Sequence, residues 1–514
     1  MNRDQMLDRV RQRREPWDLV IVGGGATGLG IALDAATRGY SVLLAEQFDF
    51  GKGTSSRSTK LVHGGVRYLE QGRIGLVGDA LRERERMRRN APHLVRPMNF
   101  VIPCYRFWEA PYYGVGLRAY DFLAASKDFP RSHSLSPREV SERMPDLKTD
   151  GLKRGVVYSD GQFDDARYLV QLAWTAAEHG AVVVNYLRVA HLERLNAQWR
   201  VGMIDGESQE TFDVPAKVVI NAAGPYVDAV RALIDRDPEP MVQPSQGAHI
   251  VVRSELFRAE DALLIPKTPD GRVLFAIPWY SHVVIGTTDT PVESLPYEPF
   301  ALETEIEFLL ETAQRYFSRR IARADISAVF TGIRPLVRGN DASTAALSRD
   351  HVIRQDSQGF LTICGGKWTT YRKMAEDCVD HAAEAAGLPK NPCVTATLRL
   401  HGYSEAADMG PYGSDAALVE QLDPTPLGTG GLCTVGMVRW AARFEMARTV
   451  EDVLARRTRW LFLNAQEAVD AAPQVLSILA EELGRDVLWQ ARQIAEFRET
   501  ARAFLPLLPA NAET

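Results

Sequence analysis

The chain has 514 residues, 45% of them hydrophobic and 25% charged, with a formal net charge of -6. That apolar content excludes wholesale disorder and suffices for two to four packed domains at roughly 100–200 residues each. A weakly acidic balance excludes a global nucleic-acid footprint, which needs a strongly basic face, but it leaves room for a local basic pocket.

The leader MNRDQMLDRVRQRREPW carries five arginines against three acids and is too polar for a secretory signal. Its apolar positions, Met6, Leu7 and Val10, are too few for a convincing membrane-surface helix, so it reads as a frayed, solvated tail. No window approaches 18 consecutive apolar residues, so no transmembrane helix is expected. Asp18–Val22 is a short apolar run of the kind that makes a buried parallel strand. It runs into Gly23-Gly-Gly-Ala-Thr-Gly28. A helix follows from Leu29 to Arg38, stopped by Gly39, and then a strand, Ser41–Ala45, ending at Glu46. This is a βαβ unit.

Further along, residues 165–179 read as a helix capped by Asp164 or Asp165, and residues 181–186 as a strand. Residues 199–204 and 211–214 read as a hairpin around Asp205-Gly206, and residues 217–220 as a second buried strand ending in Asn221-Ala-Ala-Gly224. From His249 to Thr288 the pattern turns to short alternating segments (249–252, 273–277, 283–285), which predicts a separate, mostly antiparallel sheet. Residues 360–386 return to a strand, a glycine pair and a helix. Proline, glycine and acidic residues fill 402–430, and helical periodicity governs from Val438 onward. The fold class is therefore α/β: a Rossmann-like dinucleotide domain, an inserted mostly antiparallel sheet domain and a helical C-terminal domain. The expected bounds are 16–95, 155–240 and 340–388 for the first, 96–154 and 241–339 for the second, and 389–514 for the third. Five scattered cysteines (Cys104, Cys364, Cys378, Cys393, Cys433) form no CxxC pair. They argue against a disulfide framework or a zinc site, read as core side chains and suit a reducing compartment.

The strand–GxGxxG–helix–strand–acid series is a dinucleotide-binding device. Gly23 permits the tight turn, Gly25 lets backbone approach the pyrophosphate and Gly28 lets helix and strand pack closely. The helix N-terminus presents its free N–H groups to the phosphates. Glu46, 23 residues after Gly23, is placed for the ribose hydroxyls. An acid at 46 argues against NADP, whereas FAD and NAD share the fingerprint. Residues 53–70, GTSSRSTKLVHGGVRYLE, then offer many donors in an extended loop suited to a flavin and its ribityl phosphate.

The stretch from Asp18 to Glu70 resembles the FAD-dependent glycerol-3-phosphate dehydrogenases of the D-amino-acid-oxidase-like flavoprotein superfamily. Matching blocks follow in order: residues 221–225, Gly286-Thr-Thr-Asp289, Thr331-Gly-Ile-Arg-Pro-Leu336, Ser348-Arg-Asp350, residues 365–372 (GGKWTTYR) and residues 451–459 (EDVLARRTR). The resemblance spans roughly residues 17 to 500; the leader and residues 402–430 carry no matching motif. It implies FAD as cofactor, with contacts from Gly23, Gly25, Gly28, Glu46, Thr54, Ser55, Ser56, Lys60, Leu61, His63, Gly64, Gly65, Val189, Ala223, Gly224, Gly366, Lys367, Trp368 and Thr369. It also implies oxidation of sn-glycerol 3-phosphate to dihydroxyacetone phosphate, with electrons passing to a membrane quinone, and a homodimer.

A phosphate dianion calls for arginine, whose planar guanidinium makes paired charge-assisted bonds. The matched motifs supply Arg67, Arg334 and Arg349. His249 is the favoured proton acceptor, with Tyr68 as the alternative. Lys367 is a cation at a helix start, where the dipole disfavours it, so contact with flavin or substrate supplies the reason for its presence. His63 reads as a flavin-loop residue rather than a base. A quinone acceptor implies peripheral attachment at the inner face of the cytoplasmic membrane, with the leader or Arg456-Arg457 contributing. The alternatives are a glycerol-phosphate oxidase using oxygen, a superfamily member acting on an amino acid or 2-hydroxy acid, and a non-catalytic FAD-binding protein.

Overall fold

The computed structural model describes residues 1–70, 72–124, 128–268, 271–338, 351–406, 410–428 and 430–506, without the side chains of Arg67 and Glu70. Arg349 therefore lies outside the described residues, as does the Arg67 side chain.

The apolar run at 17–22 forms the strand Trp17–Val22, whose Leu19, Val20 and Ile21 are completely buried. It is central to a sheet ordered His351–Gln355, Leu361–Gly365, Thr211–Asn221, Trp17–Val22, Val42–Ala45, Val182–Val184. The ladders from Leu361–Gly365 to Val182–Val184 are parallel, which accounts for uninterrupted apolar strands buried on both faces. Helices Ala26–Thr37, Asp165–Glu178 and Tyr371–Ala385 pack together against this sheet. Asp164 caps the second of these by accepting from Arg167 N–H at 3.1 Å.

The second sheet runs in the order Thr290–Pro291, Val242–Arg253, His282–Gly286, Leu274–Trp279, Ala262–Ile265, Val95–Cys104, Arg154–Phe163, Leu61–Val62, with Ile326–Val337 also paired to Val242–Arg253. It is antiparallel except where Ala262–Ile265 meets Val95–Cys104, as the alternating pattern predicts. Helices Val435–Phe444, Ala465–Leu483 and Val487–Ala501 form the C-terminal unit. Its core is continuous with Val251, Trp279, Ala328 and Phe330 of the second sheet.

Three expectations change. The leader is not a frayed tail: Arg3–Gln12 is a helix, capped by Asn2, that buries Met6, Leu7 and Val10 in the core of the first sheet. Its Arg3 is buried too, paired with Asp205 and donating to the Asn185 carbonyl at 3.0 Å. Residues 211–214 and 217–220 are one strand, Thr211–Asn221. Pro215 sits where that strand passes from its antiparallel partner Gln198–Asp205 to its parallel partner Trp17–Val22, a handover that tolerates a missing donor. Arg154–Phe163, expected at the edge of a dinucleotide-domain segment, pairs within the second sheet.

Candidate functional site

The first βα turn builds the floor of a cavity of about 390 Å3. Gly23 has φ +112°, and a Cβ there would lie 2.7 Å from the Ala222 carbonyl; one at Gly28 would lie 1.9 Å from the Gly23 carbonyl. The turn and helix thus close on each other only because these residues are glycine. Gly25, Glu46, Thr54, Ser55, Val189, Ala223, Gly224, Gly366, Lys367 and Trp368 all line the same cavity. Glu46 accepts the backbone N–H groups of Gly24 (2.6 Å) and Phe48 (2.9 Å). Burial raises its pKa, opposed by those two bonds.

A smaller cavity of about 230 Å3 is continuous with this groove, sharing Thr54, Pro335, Gly365, Gly366, Lys367 and Trp368. It is also lined by Thr59, Leu61, His63, Gly247, His249, Arg334 and Thr369. Strand register assembles the polar groups. Within Val242–Arg253, residues 245, 247 and 249 point to one face; across the ladder they face Arg334, Gly332 and Phe330 of Ile326–Val337, while His249 also faces Gly286.

Arg334 is half-buried and held from several sides. Its Nη2 donates to Thr287 Oγ1 and the Thr288 carbonyl, both at 3.0 Å, and its Nη1 lies 3.3 Å from Asp289, which also accepts from Ser245 Oγ. The Gly286-Thr-Thr-Asp289 block is thus the cradle of the arginine. His249 is 2% exposed and stacks on Phe330 with ring centroids 4.5 Å apart. Its Nε2 lies 3.0 Å from Thr59 Oγ1, and its buried Nδ1 has no hydrogen-bond partner among the described residues. Burial first, then the charges of Lys60 and Arg334, hold its pKa well below the usual value, so the ring is neutral.

Lys367 caps the short turn Trp368–Thr370, and its Nζ lies 4.0 Å above the Tyr68 ring. Trp368 Nε1 donates to the Ser55 carbonyl (2.8 Å) and the His63 N–H to Thr369 Oγ1 (3.1 Å), tying the segment 53–70 to this turn.

Five expected cofactor contacts lie elsewhere; one is Gly28, which packs against the Gly23 carbonyl and lines neither cavity. Lys60 is turned away from both cavities: fully buried, it bonds to Asp165 and the Ser56 carbonyl, each at 2.8 Å. Burial, with Arg459 nearby, lowers its pKa to about 7, against the pull of Asp165. Ser56 is buried beneath the same contacts. Gly64 and Gly65 are not in either cavity wall; the Gly64 N–H donates to Tyr120 Oη at 2.8 Å. The sequence reading did not single out Thr59 or Asp289, although both stand inside quoted motifs. Lys52, which lines the groove and pairs with Glu451 at 2.6 Å, was also missed.

The geometry fits FAD: glycines that bring backbone to a groove, an acid at the second strand end, and a polar chamber at the far end. The family model described as FAD dependent oxidoreductase matches residues 18–372, and that of the C-terminal domain of alpha-glycerophosphate oxidase matches residues 409–492. The chain is 39% identical over 553 residues to the mitochondrial glycerol-3-phosphate dehydrogenase of Mus musculus, covering 98% of this chain and 75% of that protein. It is 38% identical to the mitochondrial one of Arabidopsis thaliana, covering 95% of this chain and 86% of that one. The solved structure of glycerol-3-phosphate dehydrogenase from Bacillus halodurans complexed with FAD superposes with a TM-score of 0.78, at 29% identity and 99% coverage of both chains. L-alpha-glycerophosphate oxidase from Mycoplasma pneumoniae shares the fold, at 17% identity and a TM-score of 0.59 over 75% of this chain and 99% of that one. Fold, groove and matches agree: this chain belongs to the FAD-dependent glycerol-3-phosphate dehydrogenase family.

Proposed function

We propose that the chain oxidises sn-glycerol 3-phosphate to dihydroxyacetone phosphate, with a membrane quinone as the final electron acceptor. The observation that carries this reading is the chamber at the end of the dinucleotide groove. It holds a buried neutral imidazole, His249, beside the cations Arg334 and Lys367. Bound FAD, held along the groove by Gly23, Gly25, Glu46 and Trp368, supplies the hydride acceptor.

Arg334 is the phosphate anchor. Its guanidinium is already fixed by Thr287, Thr288 and Asp289, so little side-chain freedom is lost when a dianion docks. Arg67 and Arg349 are proposed as further phosphate ligands on the strength of their motifs alone. His249, neutral, accepts the proton of the 2-hydroxyl while the anchored phosphate aims the C2–H bond. Lys367, which lines both cavities, would supply positive charge to offset the negative charge of the reduced cofactor. Tyr68, beneath Lys367, is the alternative proton acceptor. The test is anaerobic addition of sn-glycerol 3-phosphate to the purified holoenzyme, with prompt bleaching of the oxidised-flavin band as the expected result. A flavin that stays oxidised overturns the substrate. Arg334→Ala is expected to lose about 2–4 kcal/mol in kcat/KM, as when a buried charged partner is left unpaired. Stoichiometric hydrogen peroxide at full turnover would instead favour an oxidase.

The quinone reading needs a bilayer contact at the inner face of the cytoplasmic membrane. Among the described residues no helix is long and apolar enough to cross a membrane. Neither attachment site expected from the sequence is available. The leader helix turns its apolar side into the core, and Arg456 and Arg457 are buried against Asp49. The exposed face of Glu109–Ala124 and its approach supports attachment instead. It presents Phe107 (82% exposed), Trp108, Tyr112, Val115 and Phe122 (85%), rimmed by exposed Arg106, Arg118 and Lys153. An aromatic face with a basic rim suits the headgroup boundary. Phe107→Glu with Phe122→Glu is expected to abolish sedimentation with anionic vesicles while leaving anaerobic flavin reduction unchanged. Vesicle binding that survives sinks the assignment, and a loss of self-association instead gives the face to a second copy.

A further inference from the structure

Thr59 stands between half-buried Ser58 and fully buried Lys60. The residues on both sides of it bind one buried carboxylate. Asp165 Oδ2 accepts from Ser58 N–H (3.1 Å), Ser58 Oγ (2.7 Å) and Lys60 Nζ (2.8 Å). The other oxygen accepts from Ala166 N–H (2.9 Å) and Arg459 Nη2 (3.0 Å). Lys60 is further enclosed by the rings of Trp279, Phe330 and Phe462, whose centroids lie 5.2, 5.0 and 5.1 Å from its ammonium. All three domains thus converge on the clamp. Thr59, between the two tethered residues, turns to the opposite side and meets His249.

His249 needs such a contact. Stacking on Phe330 fixes the plane of its ring (interplanar angle 11°), and Gly286 leaves no side chain to push against it; a Cβ there would lie 2.2 Å from Cδ2. Neither contact selects which nitrogen carries the proton. Thr59 Oγ1, 3.0 Å from Nε2, is the hydrogen-bond partner the imidazole has among the described residues, and Nδ1 is left without one.

We propose that Thr59 is a positioning residue for proton acceptance: its hydroxyl accepts the Nε2–H of His249 and so reserves the Nδ1 lone pair for the substrate 2-hydroxyl. The proposal rests on the reading of His249 as the proton acceptor. In the step, the substrate O–H bond breaks and an Nδ1–H bond forms. The C2–H electron pair leaves as hydride to the oxidised cofactor, and C2 becomes a carbonyl carbon. The charged groups facing the ring are Lys60, from the Thr59 loop, and Arg334, from the adjoining strand; both disfavour imidazolium and keep the lone pair available.

The test uses anaerobic stopped-flow reduction of the holoenzymes by sn-glycerol 3-phosphate across the acid and neutral range, with FAD content and substrate Kd measured alongside. Thr59→Val is isosteric and keeps the cavity wall. It is expected to slow reduction on the order of 10²-fold, the lower end of what a positioned general base contributes, with FAD content and Kd nearly unchanged. Its acid limb is expected to move to lower pH, because imidazolium loses an acceptor, and Thr59→Ser should restore both rate and limb. Wild-type rate and limb in Thr59→Val overturn the proposal, and an acid limb moved to higher pH overturns the tautomer, since the hydroxyl would then be donating. His249→Gln separates the two readings. If it too keeps normal reduction, His249 is not the acceptor; if it loses reduction while Thr59→Val does not, only the positioning role fails.

Discussion

Burial, reinforced by Lys60 and Arg334, keeps the His249 imidazole neutral through the physiological range. Two consequences follow from the direction of that shift. For activity, His249 in its proposed role as base is competent wherever it is unprotonated. Flavin reduction is therefore expected to stay flat on the acid side of neutrality and to fall only well below the ordinary histidine value of about 6.5. For stability, a depressed folded-state pKa means that the unfolded chain binds the proton first. The contribution is present above about 6.5 and is lost as pH falls toward the folded value. A pH profile of anaerobic reduction with its acid limb at an ordinary histidine value would contradict the burial and charge argument. Lys60 shows why residue type is a poor guide by itself. It stands in the same polar loop as Thr54 and Ser55, and only the buried Asp165, more than a hundred residues later, turns its ammonium away from the groove.

The strand Val242–Arg253 does for the substrate chamber what the first βα turn does for the dinucleotide. It alternates side chains that build the chamber, Ser245 holding Asp289 and His249 lining the wall, with one that must be absent, a side chain at 247. A Cβ at Gly247 would lie 2.3 Å from Arg334 Nη2 and 2.6 Å from Thr287 Oγ1. The guanidinium is the end of a flexible chain and can yield, so Gly247→Ala should fold but push Arg334, the proposed phosphate anchor, out of its cradle. A displacement of this size is expected to cost on the order of 10²-fold in kcat/KM, with FAD content unchanged; unchanged kinetics would show that Arg334 reaches the substrate by another route. Element by element, the sequence was legible where local physics decides. The GxGxxG turn, the continuous apolar run at 17–22 and the alternation at 249–285 each have a short-range cause. It was illegible where a distant partner decides. The leader's Met6, Leu7 and Val10 do share a helix face, but only Asp205 and the back of the first sheet make that face buried. In Glu109–Ala124 the exposed aromatics break the expected amphipathic order, so no period announced a helix with its apolar residues outward.

At the scale of the whole molecule, the C-terminal unit does more than cap the second sheet. Its segment Asp452–Arg457 enters the first domain directly behind the dinucleotide groove. Asp49, completely buried, receives Arg456 Nε and both Nη atoms of Arg457, at 2.5 to 2.9 Å. Burial works against its charge, and the two guanidiniums overcome that, holding its carboxyl below the usual range. Three residues on, Lys52 lines the groove and bonds to Glu451 of the same C-terminal segment at 2.6 Å. The loop 49–52 is therefore shared, one side touching the cofactor groove and the other the third domain. Asp49→Asn keeps the shape and removes the charge, leaving two arginines with fewer counter-charges in a dry interior. Breaking a buried pair in this way costs about 3–5 kcal/mol. Because the lost partner holds the groove wall, the cost is expected to appear first as weakened FAD retention on gel filtration. Added FAD should then raise the thermal midpoint of the variant more than that of the parent, since binding to the folded form alone stabilises it by mass action. A variant that unfolds at lower temperature yet retains FAD like the parent would show that the C-terminal unit stabilises the fold without shaping the groove.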